Sequence, residues 1–292
     1  EESDLQMNGE SSFECTNIDQ LLIPTHVKRI GSKAFSNCSQ FTYVDFIADS
    51  ELQIIGSFSF ACTNIDEVTI PPNVTKICEG AFHNSRIQNI DILENSELKI
   101  IDKNAFNGVC VCELYIPSQL KELRNKWCAK ANFLTRIEVS PENPYFVMKD
   151  DQLLLGKSDP KSDKFDVLHF AVRDLTTAHI PSNIIVISPF AFQGCQKLKE
   201  FNFPENSELQ IIGEYSFIYS ALEQIIIPSH VKEIGKCAFS SCEFLKIIEI
   251  PENSELELIG QNAFDGIFEE IFIPKHVKVI PLNAFHSCQN LE

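Results

Sequence analysis

The 292-residue sequence carries 41 acidic against 24 basic side chains, a formal net charge of −17, and its hydrophobic residues, 44% of the total, include 23 Phe and 11 Cys. That apolar content excludes wholesale disorder. The carboxylate surplus, with no dense Lys/Arg cluster, argues against nucleic acid and anionic membranes as partners. No apolar run approaches the ~20 residues of a membrane-spanning helix, so no insertion is expected within this chain, and Glu1 to Glu10 lacks a signal-peptide profile.

Taken in chain order, residues 1–17 form an N-terminal segment, and a repeat then occupies 18–292 as one solenoid. Its clearest marker is a small residue followed by Phe: Ala34-Phe35, Ser59-Phe60, Ala81-Phe82 and Ala105-Phe106, then Ala191-Phe192, Ser216-Phe217, Ala238-Phe239, Ala263-Phe264 and Ala284-Phe285. The Phe residues are spaced by 25, 22 and 24 in the first group and by 25, 22, 25 and 21 in the second. Long and short units alternate.

Each unit opens with an apolar residue, two variable positions and an apolar-variable-apolar stretch, as in Ile65 to Pro71 and Leu222 to Pro228. The alternation predicts a short strand, and the proline that usually follows, lacking an N–H, ends it. Short units continue as Pro-x-His-Val-Lys-x-Ile, long ones as Glu-Asn-Ser-Glu-Leu. Each then closes on Gly or a substitute and the Ala-Phe segment, expected to be one short helical turn. Because Cys78, Asp102 and Pro281 share the Gly position, we read its glycines as close-approach residues rather than as carriers of positive φ.

A unit of ~24 residues with one short strand buries its apolar edge only by stacking on a neighbour. Eleven units are expected, starting near Ile18, Phe41, Ile65, Ile87, Val111, Leu134, Leu175, Leu198, Leu222, Leu245 and Phe268. They would form an α/β-type repeat solenoid with a parallel sheet on one face and a Phe-filled core behind it. Two places break the period. The fifth unit puts Trp127 where Phe belongs and Lys126 where Ala belongs. The sixth carries an irregular insert at 140–173, whose strand-like runs, Tyr145 to Leu155 and Phe165 to Ala171, predict a projecting β-hairpin.

The pattern Leu-x-x-Ile-x-Ile-Pro … Ile-Gly-x-x-Ala-Phe-x-x-Cys, with its Cys at 38, 195, 242 and 288, resembles the BspA-like, or Treponema-pallidum-type, leucine-rich repeats over residues 13 to 292. Those repeats occur in surface antigens of bacteria and parasitic protists. The resemblance implies a right-handed superhelix with the sheet on its concave face, and adhesion or contact with a host cell-surface or matrix protein from the cell surface or a secreted state. A cytosolic scaffold of the same fold is the alternative, favoured by eleven cysteines without a pairing scheme.

Sites for chemistry are sparse. There is no His-Glu-x-x-His, no Gly-x-Ser-x-Gly, no phosphate-binding glycine loop and no Cys-x-x-Cys, so no catalytic residue, metal or cofactor is expected. His26, His230 and His276 share a repeat position too widely spaced for one metal. Cys38, Cys195, Cys242 and Cys288 read as inward small hydrophobes, with a Cys38–Cys62 bridge, one position out of register, as the alternative. An enzyme site in the insert would draw on Asp150, Asp151, Asp163, Asp166 and His169, which read as turn and solvated-face residues. Asn73 is the one credible glycan acceptor, since the other sequon, at Asn37, overlaps Cys38.

The exposed face of the sheet is the surface expected to bind a protein partner. Outward positions in successive strands include Tyr43 and Asp45, Glu67, Asp91, Glu113 and Tyr115, Arg136 and Glu138, Ile226, Glu249 and Phe272. Carboxylates alternate with aromatic and aliphatic side chains, which a solvated face has no need of.

Overall fold

The computed structural model describes residues 7–47, 49–264, 270–286 and 288. The chain forms two compact units, Glu1–Tyr145 and Phe146–Glu292. In both, each turn lays down a front strand of three or four residues, a connecting turn, a two-residue back strand and a tight turn carrying the Phe.

In the first unit the front strands are Gln20–Ile23, Tyr43–Phe46, Glu67–Ile70, Asn89–Ile92, Glu113–Ile116 and Arg136–Val139. Its back strands form one six-stranded parallel sheet that ends at Glu122–Leu123. In the second unit the front strands are Thr177–His179, Glu200–Asn202, Gln224–Ile226 and Ile247–Glu249. Ten front strands therefore form among the described residues. The eleventh expected unit starts at Phe268, outside them, and residues 270–273 join no described strand.

The tight turns are not helical, which corrects the α/β label. Within the turn around Phe35, the Ala34 and Ser36 amides donate back to Gly31 and Lys33, whereas Lys33, Phe35 and Asn37 donate forward to Ser57, Ser59 and Ala61 of the next turn at 2.8–2.9 Å. Alternate donors thus serve the neighbouring turn, which an i→i−4 helix cannot allow. Lys33 and Asn37 adopt positive φ (56° and 59°) to aim them.

That network fixes the inward side chains in register. Phe13, Phe35, Phe60, Phe82 and Phe106 stack ring on ring at 5.3–5.7 Å in the first unit. Phe192, Phe217, Phe239, Phe264 and Phe285 do so at 4.9–5.8 Å in the second. Phe106 N–H donates to Trp127 O at 2.7 Å, the bond that Phe82 makes to Ala105. Trp127 therefore holds the Ala position and Cys128 the Phe position, one residue later than the sequence pattern placed them. A Cβ on Gly56 would overlap the Ile30 carbonyl oxygen of the preceding turn, and Gly56 has no positive φ, so close approach is its role.

The insert does not project as a hairpin. Phe146–Lys149, Leu153–Gly156 and Val167–Ala171 form an antiparallel meander, and Val167–Ala171 then pairs in parallel with Val186–Ile187. The run Tyr145 to Leu155 is two strands divided at Asp150 and Asp151, both at positive φ. The four residues Leu153–Gly156 are all buried. The meander thus starts the second unit's seven-stranded back sheet. In the first unit, buried Asn143 hooks its amide onto Pro117 O and Leu120 O at 2.7 and 2.9 Å.

Phe60 is fully buried between two stacked rings. Phe60→Ala is expected to cost about 3–5 kcal/mol of unfolding free energy, read as a lowered urea midpoint of the first unit.

Candidate functional site

The front sheet alternates as its sequence requires. Val44, Val68, Ile90, Leu114 and Ile137 point into the core, while Tyr43, Asp45, Glu67, Asp91, Glu113, Arg136 and Glu138 are exposed and Tyr115 is half-buried. Ile226, Glu249 and Phe272 are exposed as well, but lie in the second unit, where Ile226 stands opposite Glu249 on the adjacent strand. The expected partner-binding residues therefore divide into an acidic, aromatic face in the first unit and a more apolar face in the second.

The front strands are hydrogen-bonded two by two: Gln20–Ile23 with Tyr43–Phe46, Glu67–Ile70 with Asn89–Ile92, and Glu113–Ile116 with Arg136–Val139. Among the described residues of this unit, no ladder forms between one pair and the next. The long–short alternation is the cause. Seven residues, Ile47 to Gln53, connect front to back strand in a long turn, against five, Pro24 to Lys28, in a short one. Each split follows a long turn.

The splits are grooves. The first, lying over Tyr43–Phe46, Glu67–Ile70 and Asn89–Ile92, has a volume of about 510 Å³. Asn64 N–H bonded to Phe41 O at 3.0 Å spans one end, and the Asn73 side-chain amide on Ser50 O at 2.8 Å spans the other. The nitrogen a glycan would need on Asn73 is thus already a donor in the fold. The second groove, over Asn89–Ile92, Glu113–Ile116 and Arg136–Val139, holds about 240 Å³, shares Asn89 and Asp91 with the first and is lined in part by Arg136.

Electrostatics separate the two. Arg136 lies 3.4 Å from Glu113 and 3.5 Å from Glu138, so the second groove carries its own cation. In the first, the Asp45 charge, slight desolvation, a hydrogen bond to Asp45 and the Glu67 charge together raise the Tyr43 phenol above its ordinary range. Elsewhere Asp102 is matched internally. Burial alone would raise its pKa, but the Lys103 N–H, the Lys76 ammonium at 3.1 Å and Arg124 at 3.1–3.2 Å hold it below the usual carboxylate range.

The residues weighed for chemistry do not converge. Asp166 uses its carboxylate oxygens on Ser158 N–H and O–H at 2.7 and 2.6 Å. His169 packs edge-on to Phe146 and against Gly156, where a Cβ would lie 2.5 Å from its Nε2. His230 pairs with Glu255 at 3.1 Å. Among the described residues no three His, Cys, Asp or Glu side chains form a metal site, and no helix is long and apolar enough to cross a membrane. All eleven cysteines are thiols. Cys38, Cys242 and Cys288 donate to Phe13 O, Phe217 O and Phe264 O of the preceding turn at 2.9–3.0 Å, and burial pushes the Cys242 thiol up to about 11.

Sequence reasoning missed two things. Ile47, Asp49 and Leu93, in positions read as turns, help line the first groove. Tyr219, at positive φ (59°), and Phe244 are both exposed and line a lateral cleft of about 300 Å³. The signal for Tyr219 was available: equivalent positions carry Asn37, Cys62, Asn84, Gly108, Gly194 and Ser241, all small residues beside which an aromatic stands out.

Two outcomes follow from these environments. Asp45→Asn lowers the Tyr43 phenol back toward its ordinary range, checked by phenolate absorbance against a Tyr43→Phe background. Burial holds His169 at about 4 when folded, against ~6.5 unfolded. Stability from its neutral ring is full above pH ~6.5 and is lost as pH falls toward ~4, by roughly 3 kcal/mol at most and less because one edge of the residue reaches solvent. Urea midpoints across that window fall for the parent chain and stay flatter for His169→Gln.

Comparisons with known proteins agree with this geometry. The family model described as the BspA type leucine rich repeat region, in six copies, matches residues 6–137 and 167–292. Among solved structures, the pneumococcal vaccine antigen PcpA superposes with a TM-score of 0.80 at 20% identity, over 91% of this chain and 66% of that one. A leucine rich cell surface protein from Faecalibacterium prausnitzii A2-165 gives 0.79 at 24% identity, over 98% and 82%. A leucine-rich repeat protein from Eubacterium ventriosum gives 0.56 at 18% identity, over 98% and 81%. The curated proteins give no match.

Proposed function

The chain belongs to the BspA-type leucine-rich-repeat family, and from that premise we propose that it is a non-enzymatic recognition module that holds a protein partner on the exposed front sheet of its first unit. The observation that carries this role is the groove of about 510 Å³ on that face, where Tyr43, 44% exposed, stands among Asp45, Glu67 and Asp91. No core packing requires those side chains. Exposed aromatics supply contact area at low entropic cost, and the carboxylates steer a partner of opposite charge. Binding rests on shape and charge, with no bond made or broken.

Placement at the cell surface, in contact with a host cell-surface or matrix protein, is the setting we propose. A relative of the same fold is described as a cell surface protein. The second reading is a scaffold in a reducing compartment, favoured by eleven unbridged thiols. Protease shaving and antibody labelling of intact source cells separate the two. Labelling supports surface display, whereas a protected internal pool turns the assignment to the scaffold.

The role itself is tested with Tyr43→Ala/Tyr115→Ala. Both residues lie on the front face, so the urea midpoint is expected to move little. Capture of protein partners from host-cell and matrix extracts should weaken by about 30-fold if the pair includes an aromatic hot spot. Capture unchanged in a variant of intact stability sinks the front-face assignment.

A further inference from the structure

We infer that the first front groove takes an arginine-bearing, extended peptide segment of the partner, a conclusion that rests on the front-face role proposed above. Three observations support it, and the first is the opening itself. Tyr43 N–H bonds toward Asp19 and Asn89 N–H bonds toward Asp66. Residue direction alternates along a strand, so the backbone groups of Val44 and Phe46 on one side, and of Glu67 and Thr69 on the other, face the split. There no ladder joins them. An extended segment laid along the groove would lie over the outward side chains of Glu67–Ile70, flanked by those of Tyr43–Phe46 and Asn89–Ile92.

The second observation is composition. The groove lining combines carboxylates at Asp45, Glu67 and Asp91 with apolar surface at Ile47 and Leu93, each 37% exposed. Among the described residues, no Lys, Arg or His forms an ion pair with those three carboxylates. The third is an internal precedent. On the same face, Arg136 sits opposite Glu113 in the ladder and bridges it to Glu138. A guanidinium presents its donors as a planar fork suited to carboxylates, and is more weakly hydrated than an ammonium. An entering arginine would complete at Asp45 and Glu67 the arrangement that Arg136 completes at Glu113 and Glu138 in the adjoining groove. An apolar neighbour in the peptide would cover Ile47 and Leu93.

The probe is a fluorescein-labelled peptide of alternating Leu and Arg, with its Leu-Glu counterpart as control, titrated by anisotropy against the full chain. Saturable one-to-one binding of the Leu-Arg peptide is expected, weakening as salt is raised. Asp45→Asn/Glu67→Gln, isosteric at exposed sites, should weaken it by roughly tenfold or more. Glu205→Gln/Glu252→Gln removes the same charge from exposed turns of the second unit and should leave it unchanged. Equal weakening by both pairs means attraction to net charge alone and overturns the inference, as does absence of binding. If the peptide fails to bind while Tyr43→Ala/Tyr115→Ala still abolishes partner capture, the groove assignment falls and the front-face role stands. If neither result appears, both fall.

Discussion

When Phe35, Phe60 and Phe82 each donate their N–H to the turn that follows, successive turns are held at the spacing of adjacent strands, ~4.8 Å. A phenyl ring on each turn then falls directly over the last. The stacked Phe column, the buried Ile and Val of the front strands and the close approach at Gly56 all depend on that one spacing. A backbone donor that served its own turn in helical fashion would lose the bond to its neighbour. The positive φ at Lys33 and Asn37 is the local strain that keeps those donors aimed outward along the stack.

The same constraint explains where polar groups are tolerated inside. Cys38 and Cys242 bury their sulfur and still donate to a carbonyl of the turn before, while Thr63 and Ser85, three residues after their own Phe, donate to the carbonyl of that Phe at 2.9 and 2.8 Å. A small side-chain donor recurs at this point, although Val109, three residues after Phe106, fills it without one. The recurrent cysteine is therefore a packing and hydrogen-bonding residue, and at Cys195 and Cys242 burial raises the thiol pKa.

The front face is shaped by what the back and the tight turns enforce. Back strands pair without interruption within each unit, because every turn supplies one at the same height. The front cannot follow in step, since alternate turns insert two more connecting residues. The mismatch is absorbed by opening the front sheet at every second boundary, and the openings are where carboxylates and an exposed tyrosine gather. A repeat of uniform length would have given a continuous, flatter sheet with no groove.

The sequence by itself determined the solenoid, the phase of nearly every turn and which residues of each front strand face out, because burial of a period-two strand and of one Phe per unit leaves a mark at fixed spacing. It could not show that the tight turns are non-helical, since Ala-Phe segments suit a helix until the donors are assigned to a neighbouring turn. It also misplaced Trp127 by one position, because an aromatic was taken to mark the Phe site, where the hydrogen-bond register puts Cys128. Only the tertiary structure decided that the insert is a meander starting a second sheet, and that Tyr43, Asp45 and Glu67 line one groove and Arg136 the next, with Asp91 shared between them. Those outcomes turn on which strand edges pair across turns more than twenty residues apart, and spacing along the chain carries no record of that choice.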